Sequence, residues 1–150
     1  MGEWTTACCA VPGAWHVMGV VQSAGLSLRW WRDILGMPPE GGYEALEREA
    51  QEAGVGAGGL LYLPYLLGER TPYMDASARG AFVGLGLEHG RGHFTRAVME
   101  GVALSLRQGL NIMAGLTEAP RTLVASGGGA KSRLWRQIQA DVLGMPLRTV

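Results

Sequence analysis

Seven residues, Ser126-Gly127-Gly128-Gly129-Ala130-Lys131-Ser132, have the types and order needed to hold an anion. They join a β-like run, Thr122 to Ala125, to a helical pattern, Ser132 to Leu143. Glycines let a backbone turn tightly and bring its N–H groups against a ligand, and the helix start that follows adds unpaired donors and the positive end of a dipole. A phosphate suits such a junction. The register is not that of the P-loop, because Ala130 precedes Lys131, and Ser132 stands where G-x-G-x-x-G needs its last glycine. As spacing alone, the same residues also describe a plain β-to-α turn.

Other residues capable of chemistry have quieter readings. Lys131, outside the P-loop register, is expected as a solvated residue at a helix start. Trp30, Trp31 and Trp135 are expected in the core or at domain contacts rather than as a stacking platform. His16, His89 and His93 lack metal-ligand spacing and are expected to be structural or exposed. Glu69 and Arg70 fit an active-site pair or a loop-stabilising ion pair equally well. Glu100 is expected as a polar residue at a cleft or a cap partner, not a base. Cys8 and Cys9 are adjacent, with no second pair to suggest a disulfide framework or a zinc site.

The elements that must position these residues alternate. Trp15 to Val21 reads as a buried strand, and Ser23 is well suited to cap a helix from Ala24 to Leu35. That helix carries Leu28, Trp31 and Leu35 on one face and stops at Gly36 and Pro38-Pro39. A short helix is expected from Tyr43 to Ala53, a strand from Leu60 to Leu63, an ordered loop from Gly68 to Tyr73, and a strand or turn within Gly80 to Leu87. The longest helix, from Gly92 to Ala114, repeats Phe94, Val98, Val102 and Leu106 on one face. Strand Thr122 to Ala125, the glycine turn and the last helix follow, with Leu134, Ile138 and Val142 on one side and a strand from Leu147 to Val150 after it. Strands alternating with helices indicate an α/β layer structure. The chain begins without an obvious element and stops within a strand, so the domain is expected to extend in both directions.

A chain of 150 residues suffices for one domain with a real core. Its 24 glycines are scattered among apolar runs, which indicates tight turns and close backbone approaches rather than a linker. Lys+Arg and Asp+Glu both number 13, so nothing electrostatic favours nucleic acid or an anionic membrane surface. No apolar run is long enough to span a bilayer, residues 1–20 lack the pattern of a signal peptide, and a cytoplasmic location is the default expectation.

Four blocks together resemble the C-terminal domain of the FGGY carbohydrate kinases, and within them the xylulokinase branch most closely. They are Cys8 to His16 with Ser23-Ala24-Gly25; Leu63 to Pro72, reading LPYLLGERTP; Gly80 to Leu85 with His93-Phe94 and Ala97 to Glu100; and Gly127 to Ser132 with Trp135-Arg136-Gln137 and Ala140-Asp141. The combination is specific although each piece alone is not, and it covers nearly the whole chain.

The resemblance implies an actin-like ATPase, RNase H-like α/β domain that is incomplete at both ends. Residues 1–150 would be part of the nucleotide-binding C-terminal domain, with the sugar-binding domain absent. It implies ATP with Mg²⁺, ADP as product, and a small sugar, D-xylulose in the complete enzyme, with a homodimer as a possible assembly. By motif, Gly127, Gly128 and Gly129 meet the nucleotide, Gly128 and Gly129 on its α-phosphate and ribose side, and Ser132 lies near the adenosine. Gly25 would approach the terminal phosphates, with Arg29 one turn on. The family's catalytic Asp lies upstream of the matched segment, so Asp33, Asp75 and Asp141 are not assigned as base, and no catalytic residue is expected here. Cys9 departs from the histidine usual in this branch. The alternatives are a kinase of glycerol, gluconate or another pentulose, or a non-catalytic remnant that keeps nucleotide affinity.

Overall fold

The computed structural model describes residues 5–116 and 120–150; Met1 to Trp4 and residues 117–119 lie outside them. Strands β1 (Thr5–Cys8) and β2 (Trp15–Met18) form an antiparallel hairpin. Helices α1 (Ala24–Ile34) and α2 (Pro39–Ala53) follow, then the antiparallel pair β3 (Leu61–Leu63) and β4 (Ala81–Val83). The long helix α3 (Arg91–Ala114) leads to β5 (Leu123–Ala125), a short 3₁₀ turn at Gly128–Lys131, α4 (Arg133–Leu143) and β6 (Leu147–Thr149), which runs parallel to β5. Every expected helix is present within a few residues of its predicted bounds.

Three expectations are corrected. β2 is shorter than the predicted strand and is not buried: Trp15 and Met18 face outward, because among the described residues the strand pairs only with β1. Ser23 occupies the N-cap position of α1, yet its side chain makes no cap hydrogen bond. α2 begins earlier than predicted. Pro39 has a φ already fixed for a first helical position, and Glu40 and Gly41 depart from helical geometry before the regular turns begin.

The core gathers around α3, which packs on α1, α2, β3 and α4. Its buried residues Ala97, Val98, Met99, Val102 and Ala103 meet Leu28 of α1, Leu46 and Ala50 of α2, Leu60 and Tyr62 beside and within β3, and Trp135 and Ile138 of α4. Trp30, Trp31 and Trp135 belong to this core. Trp31 stacks on Phe94 at 5.4 Å between ring centres, and Trp135 donates its indole N–H to the Met99 carbonyl at 3.0 Å. Two glycines of α3 allow its closest approaches: a Cβ at Gly101 would collide with the Tyr62 carbonyl, and one at Gly92 with the Glu49 carbonyl.

The histidines are structural or exposed, as expected. His89 accepts the Gly86 N–H at 2.8 Å, and His93 accepts the Gly90 N–H at 3.1 Å, closing the first turn of α3. His16 is exposed. Glu100 acts as a cap partner: its carboxylate takes the Arg96 guanidinium at 2.6 Å and the Gly56 N–H at 3.0 Å.

Candidate functional site

A pocket of about 550 Å³ opens where α1, α2 and the start of α4 converge over α3. Its floor is Thr95 and Met99 of α3, with Leu28 of α1, Leu46 of α2 and Trp135 of α4. Thr95 is fixed from both sides, accepting the Trp31 indole N–H at 2.9 Å and donating to the Arg91 carbonyl at 3.0 Å. The polar groups stand on the walls. Gly25 and Arg29 come from α1, Tyr43, Glu44 and Glu47 from α2, and Gly128, Gly129, Lys131 and Ser132 from the turn and the cap of α4.

Five of the six sequence-predicted site residues, Gly25, Arg29, Gly128, Gly129 and Ser132, thus line one pocket, although about a hundred residues separate the two groups. Gly127 does not line it. That residue turns the chain at φ 81°, a left-handed conformation that favours glycine, and borders a shallower hollow with Ser126, Lys131 and Arg136. Lys131 is exposed, and among the described residues neither Lys131 nor Arg29 pairs with a carboxylate.

The two helix starts at the pocket differ in what they can offer. At α4 the first donors are already used: the Ser132 hydroxyl accepts the Trp135 N–H at 3.0 Å, and Glu47 accepts the Leu134 N–H at 2.8 Å. At α1 no side chain caps the first turn, so its donors and the positive end of its dipole remain open to an anion. Around the glycine turn, Gly128 is free of steric neighbours, whereas a Cβ on Gly129 would stand 3.0 Å from the Trp135 ring. The pocket is therefore donor-rich and cationic toward α1 and the glycine turn, and apolar with carboxylates toward α2.

Sequence reasoning missed the α2 wall. Tyr43 and Glu47 are one helical turn apart, a spacing that puts them on one face, but nothing local says that this face meets the start of α4. Asp33, Asp75 and Asp141 lie elsewhere. Asp33 is bound by Arg32, Asp75 accepts from Ser77 and Ala78 within its own loop, and Asp141 accepts from Gln137. Glu69 and Arg70 form no ion pair; the Glu69 carboxylate accepts backbone N–H groups instead.

The family model for the C-terminal domain of FGGY carbohydrate kinases matches residues 2–150. The chain belongs to the FGGY family of carbohydrate kinases. Among FGGY relatives, the xylulose kinase of Bacillus subtilis is 41% identical over 129 residues, which cover 86% of this chain and 26% of that protein. The gluconokinase of the same organism is 36% identical over 140 residues, covering 85% of the chain and 27% of the relative. A crystal structure of xylulose kinase from Rhodospirillum rubrum superposes with a TM-score of 0.88 at 37% identity, over 97% of this chain and 29% of that one. The chain thus spans between a quarter and a third of the length of these FGGY kinases, and its fold is that of their actin-like ATPase domain.

Proposed function

We propose that this chain is the nucleotide-holding C-terminal part of a xylulose kinase, whose complete form transfers the γ-phosphate of ATP to a hydroxyl of D-xylulose. The observation that carries the reading is the single pocket into which Gly25 and Arg29 converge with Gly128, Gly129 and Ser132. In this reading the base and ribose lie over Met99, Leu46 and Trp135, near Ser132. The phosphates extend past Gly128 and Gly129 toward the uncapped start of α1, where Gly25 lets the backbone approach and Arg29 adds charge. Gly127 contributes by shaping the turn. Phosphoryl transfer rests on positioning and charge stabilisation, which suits a site of backbone donors and one guanidinium.

ATP brings Mg²⁺ with it in such reactions, but no three potential ligands come together among the described residues, and the two pocket carboxylates both stand on the α2 wall. The described residues do not fit a resident Mg²⁺ site. Among the described residues no carboxylate other than Glu44 and Glu47 lines the pocket, and in this reading the general base and the sugar contacts are supplied by another part of the complete enzyme. The 36% identity to a gluconokinase favours, as second reading, a kinase of another small sugar or sugar acid, since this part of the fold serves both.

The test has two arms. Calorimetry on the chain should detect ADP, and a coupled assay should find no xylulose phosphorylation by the chain alone. Joined in one polypeptide to a sugar-binding domain of the family, it should regain xylulose-dependent ADP release. Absence of ADP binding would sink the nucleotide reading, and phosphorylation by the chain alone would place the base within these 150 residues.

A further inference from the structure

Glu69 presents an unusual arrangement for a residue outside the pocket. It is 3% exposed, and no basic side chain pairs with it among the described residues. One carboxylate oxygen accepts two backbone N–H groups, from Gln22 at 3.0 Å and Arg70 at 2.7 Å, and the other is buried without a partner. Burying a carboxylate with one oxygen unpartnered is costly. The position it holds is the informative part.

Gln22 immediately precedes Ser23, the N-cap of α1 whose own side chain caps nothing. Two residues back, Val20 is tied to the same loop by a reciprocal pair: its N–H donates to the Thr71 hydroxyl at 3.1 Å, and its carbonyl accepts the Thr71 N–H at 3.1 Å. The loop is itself braced. Glu69 and Asp75 exchange backbone hydrogen bonds at 2.9 Å in both directions, and the Asp75 side chain closes the next turn onto Ser77 and Ala78. A braced loop therefore holds residues 20–22 by three hydrogen bonds, one residue ahead of the helix start that faces the pocket.

We infer that Glu69, with Thr71, is a positioning residue of the nucleotide site, setting the entry of α1 so that its open N-terminal donors and Arg29 meet the phosphates of a nucleoside di- or triphosphate. The inference rests on the nucleotide reading above. Because Glu69 acts on the α1 side, its loss should affect phosphates and spare the nucleoside, which meets α2, α3 and α4. That selectivity separates positioning from a loss of general stability.

The experiment measures ADP and adenosine affinities of the wild-type, Glu69→Ala, Glu69→Gln and Thr71→Val chains by calorimetry, with thermal melting alongside. Removing an acceptor that holds the helix entry should weaken ADP about tenfold in Glu69→Ala, equal to about 1.4 kcal/mol, with adenosine changed less than about twofold. Glu69→Gln keeps an oxygen for both N–H groups and should recover ADP affinity to within about threefold of wild type. Thr71→Val keeps shape and loses only the hydroxyl acceptor, so it carries the test if Glu69→Ala fails to fold; it should weaken ADP several-fold, again sparing adenosine. Equal losses of ADP and adenosine in the variants, no loss of ADP, or no recovery in Glu69→Gln would each overturn the positioning role. Failure of the wild-type arm to bind ADP would instead remove the nucleotide reading, and the inference with it.

Discussion

Replacing Gly128 by valine tests the pocket at its most accessible point, because the three adjacent glycines have different reasons to be glycine. Gly127 holds φ 81°, and Gly129 is packed against the Trp135 ring, so a side chain at either strains the fold. Gly128 has neither constraint: its φ is not positive, and a Cβ there meets nothing within 4 Å. The added branches of valine therefore stand in the space where a phosphate must approach the turn. A hydrogen bond to a charged group contributes about 1.5–3 kcal/mol, so blocking one such contact predicts ADP binding weaker by about 10- to 150-fold. Stability should change by less than about 1 kcal/mol, since the site is uncrowded. Isothermal calorimetry with ADP, paired with a thermal melt, reads both quantities. As an internal control, Gly129→Ala should melt measurably lower through its clash with Trp135, an overpacking cost of about 1–3 kcal/mol. Unchanged ADP affinity in a folded Gly128→Val protein would refute the placement of phosphate at this turn.

Arg29→Ala should weaken ADP by up to about fivefold while leaving adenosine affinity unchanged, the range expected for one exposed cation near phosphate; titration of both ligands by quenching of tryptophan fluorescence decides it, and equal effects on the two would exclude Arg29 from the phosphate end. The Glu49–Arg91 pair, which ties α2 to α3, makes a signed pH prediction. Its hydrogen bond to Arg91 holds the Glu49 carboxyl below its ordinary value of 4.5, so the contribution is fully present above that pH and is lost as pH falls through the lower folded value. Melting temperature against pH should accordingly fall less steeply in Glu49→Gln than in wild type below pH 4.5, and parallel curves would show that the pair does not contribute.

Much of this organisation was legible because the signals are local. The periodicity of Phe94, Val98, Val102 and Leu106 located α3, and the glycines before Ser132 located the turn and the cap of α4. What the sequence could not convey is which element meets which. Nothing near Glu47 announces that its carboxylate reaches the Leu134 N–H, 87 residues away, and nothing near Glu69 announces Gln22. The same gap explains the misreading of β2. An apolar run reads as buried when a covering layer is assumed, and Trp15 and Met18 have none among the described residues. The case of Ser23 has a related reason: residue type favours a cap, but the backbone entering α1 is held by the loop of Glu69 and Thr71, and the Ser23 hydroxyl is buried without a hydrogen bond to the helix.

The two glycines by which α3 touches its neighbours have a mechanical consequence. The backbone of α3 rests directly on the carbonyls of Tyr62 and Glu49, with no room for a side chain at either contact. The α2 wall of the pocket is thereby gauged directly from α3, as is the strand that carries Tyr62, whose hydroxyl leads through Ser27 to the Ser23 carbonyl at the start of α1. The gap between the walls is thus set by contact with backbone rather than by adjustable side chains, so a change in the width of the pocket would have to move α3 together with α2 and β3.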